Sequence, residues 1–213
     1  MNILRPLAAR IVGQSIRLFA RAITAVRADW QGIEPIPRQR VYYSNHTSNG
    51  DMPMIWSVLP PALRRDVRPV AAADYWLKNK LRAFVGPEVF NCVLIDRRPE
   101  VDDKPMDKIL AALDEGSSLI IFPEGNRNMT DADLRPFKAG LYNMGLARPD
   151  VDLVPTWIAN LNTIMPKGEI IPLPLICTVT FGAPVHVQNG ESKDDFLARA
   201  AKALSDLKPE VAS

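Results

Sequence analysis

The stretch Ser118-Leu119-Ile120-Ile121-Phe122 (SLIIF) is apolar at every position after its serine. A continuous apolar run of this length is expected for a β-strand that is buried on both faces, as the strands of parallel sheets are. A segment with helical spacing that ends at a glycine, residues 107–116 (DKILAALDEG), precedes it. Strands that alternate with helices indicate a parallel or mixed sheet with helices packed on its faces.

The same alternation extends along the chain in both directions. Further strands are predicted at residues 40–43, 67–72, 93–95, 151–157 and 176–181, and further helices at 51–59, 75–84, 141–147 and 196–207. Asp51 is expected to cap the helix that Pro53 helps to begin. The predicted fold class is therefore α/β, with a mixed, mostly parallel sheet flanked by helices and preceded by an N-terminal amphipathic helix. The predicted domains are that helix, over residues 1–30, and a single α/β domain over residues 31–213.

The composition limits what the chain can be. With 213 residues, of which 47% are apolar and 23% charged, it fits one globular domain rather than a disordered chain. The formal net charge of +2 is too small to indicate a nucleic-acid partner. Cys92 and Cys177 are far apart and form no Cys-x-x-Cys pair. Neither a disulfide framework nor a zinc site is therefore expected, and a reducing compartment is.

Residues 1–30 are rich in apolar side chains but carry arginines at positions 5, 10, 17, 21 and 27. The longest uncharged run, residues 11–16, is much shorter than the ~20 residues of a membrane-spanning helix, and no signal-peptide core is present. At ~100° per residue the large apolar side chains share one broad arc, and three arginines lie opposite its centre. Such a helix either lies in a membrane interface, with its arginines against anionic headgroups, or docks on the protein's own core. The pattern leaves both interpretations open.

The segment at residues 44–51 (SNHTSNGD) places His46 after a predicted strand and five residues before Asp51. A lone histidine is more often structural than catalytic, and Asp51 has its own explanation as a helix cap. A carboxylate beside an imidazole nevertheless makes a general base, because it fixes the tautomer and stabilises the imidazolium. The two side chains can meet if His46 lies on the strand-end turn and Asp51 opens the helix. The sequence has no Gly-x-Ser-x-Gly elbow, so His46 would activate the substrate's own hydroxyl.

A second loop, residues 123–128 (PEGNRN), follows the opening strand. Gly125 permits close backbone approach, and the guanidinium of Arg127 is a rigid fork that suits phosphate. Glu124 would hold that arginine or a substrate hydroxyl. Residues 96–98 (DRR) add cations after another apolar strand, although each arginine cluster can also be a solvated surface. Two such clusters beside a basic amphipathic helix suggest a phosphate-bearing lipid.

Several of these stretches resemble motifs of the glycerolipid acyltransferases, the family that contains bacterial 1-acyl-glycerol-3-phosphate acyltransferases. Residues 46–51 (HTSNGD) resemble the family's His-x4-Asp motif, and residues 122–127 (FPEGNR) resemble its Phe-Pro-Glu-Gly-Thr-Arg motif. Weaker similarities lie at residues 93–97 (VLIDR), 137–140 (FKAG), 154–155 (VP), 166–168 (PKG) and 181–184 (FGAP). Their order and spacing agree from about residue 40 to 185. The chain departs from the pattern at Asn126, where threonine is usual, and at Asn128.

The resemblance implies a role for each matching position. His46 would be the general base and Asp51 would orient it. Residues that bind the phosphate and glycerol of the acceptor would be Arg97, Glu124, Gly125 and Arg127, and Pro155 would lie near the acyl-binding region. The second histidine, His186, lies beyond the last similar block and is interpreted as structural. The resemblance implies no cofactor and no metal, since the co-substrate is a fatty-acyl thioester of coenzyme A or acyl carrier protein.

The expected function is transfer of a fatty-acyl group to the free hydroxyl of a lysophospholipid, with 1-acyl-glycerol-3-phosphate giving phosphatidate. The enzyme would act at the cytoplasmic face of the cell membrane, attached peripherally or monotopically through its N-terminal helix. Three alternatives stay open. The first is another lyso-lipid acceptor, to which Asn126 and Asn128 point, and the second is a non-catalytic lipid-surface module. The third is a metal-dependent hydrolase that uses His46, Asp51 and Glu124, although these three form a poor zinc set.

Overall fold

The computed structural model describes residues 4–96, 104–159 and 177–209. Its strands are β1 (Arg27–Trp30), β2 (Arg40–Ser44), β3 (Val67–Ala72), β4 (Val93–Ile95), β5 (Ser118–Ile121), β6 (Asp152–Ala159) and β7 (Thr178–Phe181). Its helices are α1 (Leu4–Thr24), α2 (Asp51–Val58), α3 (Pro61–Arg64), α4 (Ala73–Trp76), α5 (Lys80–Phe84), α6 (Pro105–Asp114), α7 (Gly140–Ala147) and α8 (Lys193–Ser205). A π-helical turn at Val85–Val89 follows α5. Arg97 and residues 166–168 lie outside the described residues.

The strands form one sheet in the order β1-β7-β6-β2-β5-β3-β4. Neighbouring strands are parallel except β6 and β7, so β1 and β7 run against the other five strands. The sheet is therefore mixed and mostly parallel, and the predicted α/β fold class is confirmed. Because β2 and β5 are parallel neighbours, the loops that follow them leave the sheet at the same edge.

Side chains of the central strands alternate between two apolar cores, one on each face of the sheet. Tyr43 of β2 and Leu119 of β5 belong to a first core, to which α6, α7 and α8 contribute. Tyr42 and Ile120 belong to a second core, to which α1, α2 and α3 contribute. Strands β2, β5 and β6 are buried along their whole length because helices cover both faces. This burial explains why their sequences show apolar runs instead of alternation.

Helix α1 presents two different faces. Its small residues Ala9, Gly13 and Ala20 are buried, and a Cβ on Gly13 would lie 3.2 Å from Cγ1 of Val89. The large apolar residues on the opposite face are between 52% and 72% exposed, and they are Leu4, Leu7, Ile11 and Leu18. Helix α1 therefore docks on the protein's own core through its small residues, while its large apolar residues stay exposed. Its contact with a membrane interface stays a prediction. No helix in the described part of the chain is long and apolar enough to cross a membrane.

Three local predictions differ from the structure. The helix predicted over residues 1–30 ends at Thr24, and residues 27–30 form the polar edge strand β1. The helix predicted over residues 75–84 is interrupted, because the side chain of Asn79 accepts a hydrogen bond from the backbone N–H of Arg82 and caps a new helix. Asp51 does not cap α2: Gly50 is the N-cap residue and Asp51 is the first helical residue. Division of the chain into an N-terminal helix and one α/β domain remains a proposal.

Candidate active site

The loop between β2 and α2 brings His46 and Asp51 together. Nδ1 of His46 lies 2.7 Å from Oδ2 of Asp51. The same oxygen accepts hydrogen bonds from the backbone N–H groups of Thr47 (2.7 Å) and Ser48 (2.8 Å), so the loop wraps around the carboxylate. With Asp51 as a carboxylate, which only accepts hydrogen bonds, the hydrogen of this contact is on Nδ1, and a neutral His46 ring then has its lone pair on Nε2. This is the arrangement of a histidine general base.

His46 and Asp51 differ in their access to solvent. The side chain of Asp51 is fully buried, whereas that of His46 is 22% exposed and lines a cavity. The imidazole of His46 stacks on the ring of Phe122, with centroids 4.2 Å apart and an interplanar angle of 21°. The ring is thus held at one edge by Asp51 and on one face by Phe122 while it stays accessible from the cavity.

Asn45 anchors the His46 loop to the sheet, a role that sequence reasoning missed. Its side-chain amide donates to the backbone C=O of Ile158 (3.0 Å) and accepts from the backbone N–H of the same residue (2.8 Å). The ladder between β2 and β6 ends at Ser44 and Thr156. The Asn45 side chain therefore adds one further pair of hydrogen bonds between the β2 end and β6. The sequence feature that indicates this role is an asparagine directly between an apolar strand and the histidine.

The second loop holds the backbone of His46 from both sides. Oε1 of Glu124 accepts a hydrogen bond from the N–H of His46 (2.9 Å), and the C=O of His46 accepts one from the N–H of Asn128 (2.6 Å). The other oxygen of Glu124 accepts from the N–H of Arg135 (3.0 Å). Burial raises the pKa of Glu124, and these two backbone hydrogen bonds offset part of that effect. Glu124 thus positions the loops, and its contact with Arg127 or substrate stays a prediction.

The two asparagines that depart from the family motif have different surroundings. Asn128 is buried, and its Oδ1 accepts hydrogen bonds from the N–H (3.0 Å) and the hydroxyl (2.7 Å) of Thr130. Its Nδ2 donates to the C=O of Ala132 (2.6 Å). Asn126 is exposed and lines the cavity. Of the two, only Asn126 lines the cavity, whereas Asn128 stabilises its own loop.

A cavity of about 760 Å³ opens beside His46. One part of its lining is polar and includes Gly125, Asn126, Arg127 and Lys138. The remaining lining is mostly apolar and includes Met52, Val70, Trp76, Ile109, Leu141 and Met144. The size and the divided lining suit a ligand with a charged head and a hydrocarbon chain.

Two other residues singled out in the sequence, Pro155 and His186, do not line this cavity, and a third, Arg97, is not described. Pro155 is buried in β6, paired with Tyr43 of β2, and lies outside the lining. Arg97 lies outside the described residues, while its neighbour Asp96 lines the cavity. Nε2 of His186 lies 3.2 Å from Oδ1 of Asp152, at the beginning of β6 and away from the lining. Substrate contacts of Arg97 and Pro155 therefore stay predictions.

Neither cysteine is a candidate nucleophile. Cys92 and Cys177 are buried, and this burial raises the pKa of each thiol to about 12. Both are therefore protonated at neutral pH, and a thiol is a poor nucleophile compared with a thiolate. Within residues 4–96, 104–159 and 177–209, no three His, Cys, Asp or Glu side chains gather as metal ligands would.

The family model for acyltransferases matches residues 27–159, from β1 to the end of β6. The chain belongs to the acyltransferase family. The matched region contains His46, Asp51 and the whole second loop. The resemblance to glycerolipid acyltransferases that the two motifs predict is confirmed.

Individual proteins similar to this acyltransferase agree with that assignment. The crystal structure of the 1-acyl-sn-glycerophosphate (LPA) acyltransferase PlsC from Thermotoga maritima matches 100% of the chain and 86% of PlsC. The TM-score is 0.69 at 21% sequence identity, which shows a shared fold. N-acylphosphatidylethanolamine synthase from Arabidopsis thaliana is 28% identical over 144 residues, 62% of this chain and 50% of the plant protein. The chain thus spans half the length of that curated relative.

Proposed function

We propose that this acyltransferase transfers a fatty-acyl group from an acyl thioester to the free hydroxyl of a lysophospholipid. Its principal acceptor in this proposal is 1-acyl-glycerol-3-phosphate, which gives phosphatidate. The observation that carries the proposal is the 2.7 Å contact between Nδ1 of His46 and the buried Oδ2 of Asp51, at the wall of a cavity with a cationic and an apolar part. A base in that place fits a substrate with a hydroxyl, an anionic head and a hydrocarbon chain.

The reaction would use His46 twice. Nε2 of His46 accepts the proton of the acceptor hydroxyl while that oxygen attacks the carbonyl carbon of the thioester. The tetrahedral intermediate then collapses, the carbon–sulfur bond breaks, and the imidazolium returns the proton to the leaving thiolate. Asp51 stabilises the imidazolium and keeps Nε2 as the basic nitrogen. Because the Asp51 carboxylate is fully buried, water screens this interaction little.

The head and the chains of the lipids would occupy different parts of the cavity. The guanidinium of Arg127 offers parallel donors to a phosphate. Gly125, at φ +73°, leaves space beside the loop backbone, and the side chain of Lys138 enters that space. The apolar part of the lining, which includes Met52 and Met144, would hold a hydrocarbon chain. Each methylene buried there would stabilise binding by about 0.8 kcal/mol. Coenzyme A and acyl carrier protein present the same thioester, so either carrier fits this scheme, which needs no cofactor or metal.

We also propose that α1 holds the enzyme on the cytoplasmic surface of the membrane. The exposed face formed by Leu4, Leu7, Ile11 and Leu18 would enter the acyl boundary. Arg10, about a quarter turn away on the helix, is exposed and would meet anionic headgroups. Attachment would be peripheral or monotopic and would weaken as the salt concentration rises.

A second candidate acceptor is a lipid amine. The plant relative is named as a synthase of N-acylphosphatidylethanolamine, in which the acyl group is on nitrogen. A base at His46 would remove the proton that an attacking amine loses. Asn126, which replaces the usual threonine of the motif, lies at the cavity where the head group would bind. A lipid-surface module without turnover is the alternative from a different class.

Acyl transfer from a labelled fatty-acyl thioester tests these proposals. The acceptors are lysophosphatidate, lysophosphatidylethanolamine and phosphatidylethanolamine, each in vesicles, and the proteins are wild type, His46→Ala and the control His186→Ala. Labelled phosphatidate that falls at least ~100-fold in His46→Ala and persists in His186→Ala supports the leading proposal. Full activity in His46→Ala overturns the mechanism. Turnover only with an amine acceptor favours the second candidate, and vesicle binding without turnover favours the module.

A further inference from the structure

Lys138 lies beside the second loop although it belongs to a later segment of the chain. Its backbone N–H donates to the C=O of Pro123 (2.9 Å), which ties that later segment to the loop. Its side chain is exposed and lines the same cavity as His46 and Arg127. The resemblance to the family assigns no role to this lysine.

The side chain of Lys138 passes across Gly125. A Cβ placed on Gly125 would lie 2.5 Å from both Cε and Nζ of Lys138, closer than real Cβ atoms approach other atoms. Gly125 also has φ +73°, a conformation that residues with side chains rarely adopt. A glycine at this position therefore leaves the space in which the ammonium group lies, against the backbone of the loop.

The ammonium of Lys138 has no carboxylate partner among the described residues. Both oxygens of nearby Glu124 accept hydrogen bonds from backbone N–H groups, and Asp133 forms an ion pair with Lys208 (2.6 Å). Arg127 likewise makes no ion pair within the described chain. Two cations that share a cavity repel each other, and a bound anion reduces that repulsion. The one carboxylate in the described lining is that of Asp96. The described lining has no other lysine or arginine.

We propose that Lys138 is a second phosphate-binding residue, which acts with Arg127 on the phosphate of the acceptor. This inference rests on the proposed function and adds a determinant of specificity to it. A phosphomonoester carries close to two negative charges at neutral pH, whereas the phosphodiester of a lysophosphatidylethanolamine carries one. A pair of cations matches the phosphomonoester, so Lys138 favours lysophosphatidate over acceptors whose phosphate bears a further group.

Kinetics with two matched acceptors test the proposal. Lysophosphatidate and 1-acylglycerol differ only by the phosphate, and the proteins are wild type, Lys138→Gln, Lys138→Arg and the control Lys202→Gln on α8. Lys138→Gln should raise the KM for lysophosphatidate about ten-fold, the effect of one lost charge-assisted hydrogen bond, and leave kcat within about two-fold. It should leave 1-acylglycerol unaffected, and Lys138→Arg should recover most of the loss. Equal losses with both acceptors, or no loss with either, overturn the proposal.

A binding measurement separates this inference from the proposed function. Calorimetry with glycerol 3-phosphate, on the full chain in detergent, should give a Kd about ten-fold higher for Lys138→Gln than for wild type and Lys202→Gln. An unchanged Kd, or no binding by wild type, overturns the role of Lys138 even if wild type makes phosphatidate. A weakened Kd in a protein that acylates no lysophospholipid retains the phosphate site and rejects the proposed function. Equal thermal midpoints of the three proteins exclude misfolding as the cause.

Discussion

Oδ2 of Asp51 accepts three hydrogen bonds, one from Nδ1 of His46 and two from the backbone N–H groups of Thr47 and Ser48. The same atom therefore orients the base and shapes the loop that carries it. Oδ1 of Asp51 is buried and has no hydrogen-bond partner within the described chain. The role of Asp51 in catalysis depends on the negative charge of the carboxylate, whereas its role in the loop depends on an oxygen that accepts hydrogen bonds. A substitution that removes the charge and keeps the oxygen therefore separates the two roles.

Asp51→Asn should preserve the loop and lose most of the activity. The amide oxygen still accepts from the N–H groups of Thr47 and Ser48, but it carries no charge to stabilise the imidazolium of His46. The expected result is a kcat lower by ~10²–10⁴-fold with a thermal midpoint near that of wild type. Steady-state kinetics and thermal unfolding measure the two effects. Asp107→Asn, at an exposed position on α6, is the control, and a kcat in Asp51→Asn equal to that of the control would contradict the role of Asp51.

Glu124 should make the stability of the fold depend on pH. Burial raises its pKa above the ordinary value of 4.5, so the folded protein binds this proton more tightly than the unfolded chain does. Its contribution to the free energy of unfolding is therefore most favourable below pH 4.5 and declines as the pH rises through the folded-state pKa. The corresponding experiment is urea unfolding of wild type and Glu124→Gln, from below pH 4.5 to a pH above the folded-state pKa of Glu124.

The free energy of unfolding of wild type minus that of Glu124→Gln should decrease as the pH rises, because the glutamine does not titrate. Glu34→Gln, which removes an exposed glutamate, controls for the loss of a surface charge. A difference between wild type and Glu124→Gln that stays constant with pH would show that burial does not raise the pKa of Glu124.

Substitution of Gly125 should affect both stability and acceptor binding. Gly125, Gly116 and Gly190 have φ angles of +73°, +83° and +76°, so alanine is strained at each by about 1 kcal/mol. A Cβ meets no atom within 4 Å at Gly116 or Gly190, but it meets the side chain of Lys138 at Gly125. All three alanine variants should lose similar stability in urea. Only Gly125→Ala should also raise the KM for lysophosphatidate, and similar KM values in all three variants would count against the placement of Lys138.

The exposed face of α1 should control membrane binding without controlling folding. Leu7 and Ile11 are 52% and 59% exposed, so Leu7→Glu with Ile11→Glu should leave the thermal midpoint nearly unchanged. The same pair should weaken binding to anionic vesicles by at least ~10-fold, because two large apolar side chains no longer enter the interface. Vesicle sedimentation measures this change. Gly13→Leu is the opposite control, since its side chain would collide with Val89 and lower the thermal midpoint; unchanged vesicle binding in the double variant would leave α1 as a docked helix only.

The central strands are predictable because they are buried along their whole length, which requires consecutive, mostly apolar residues. The predicted strands at residues 40–43 and 118–122 agree with β2 and β5 to within one residue, since every position of both strands is buried and the sequence shows them as mostly apolar runs. Strand β1 is not predictable in this way. Its residues Arg27 and Asp29 are polar, and its partner β7 lies far along the chain, where Arg27 pairs with Thr178.

The amino-acid sequence identifies the chemical groups at the site, namely one histidine, one aspartate and a loop with glycine and arginine, and their order along the chain. The atoms that these groups contact follow from the folded structure. Glu124 binds the backbone of His46, and Lys138 lies against Gly125, because parallel pairing of β2 and β5 brings the two loops together. Residue type determines the charge and hydrogen-bonding capacity of a side chain, whereas its partners depend on packing between segments that are distant in the chain.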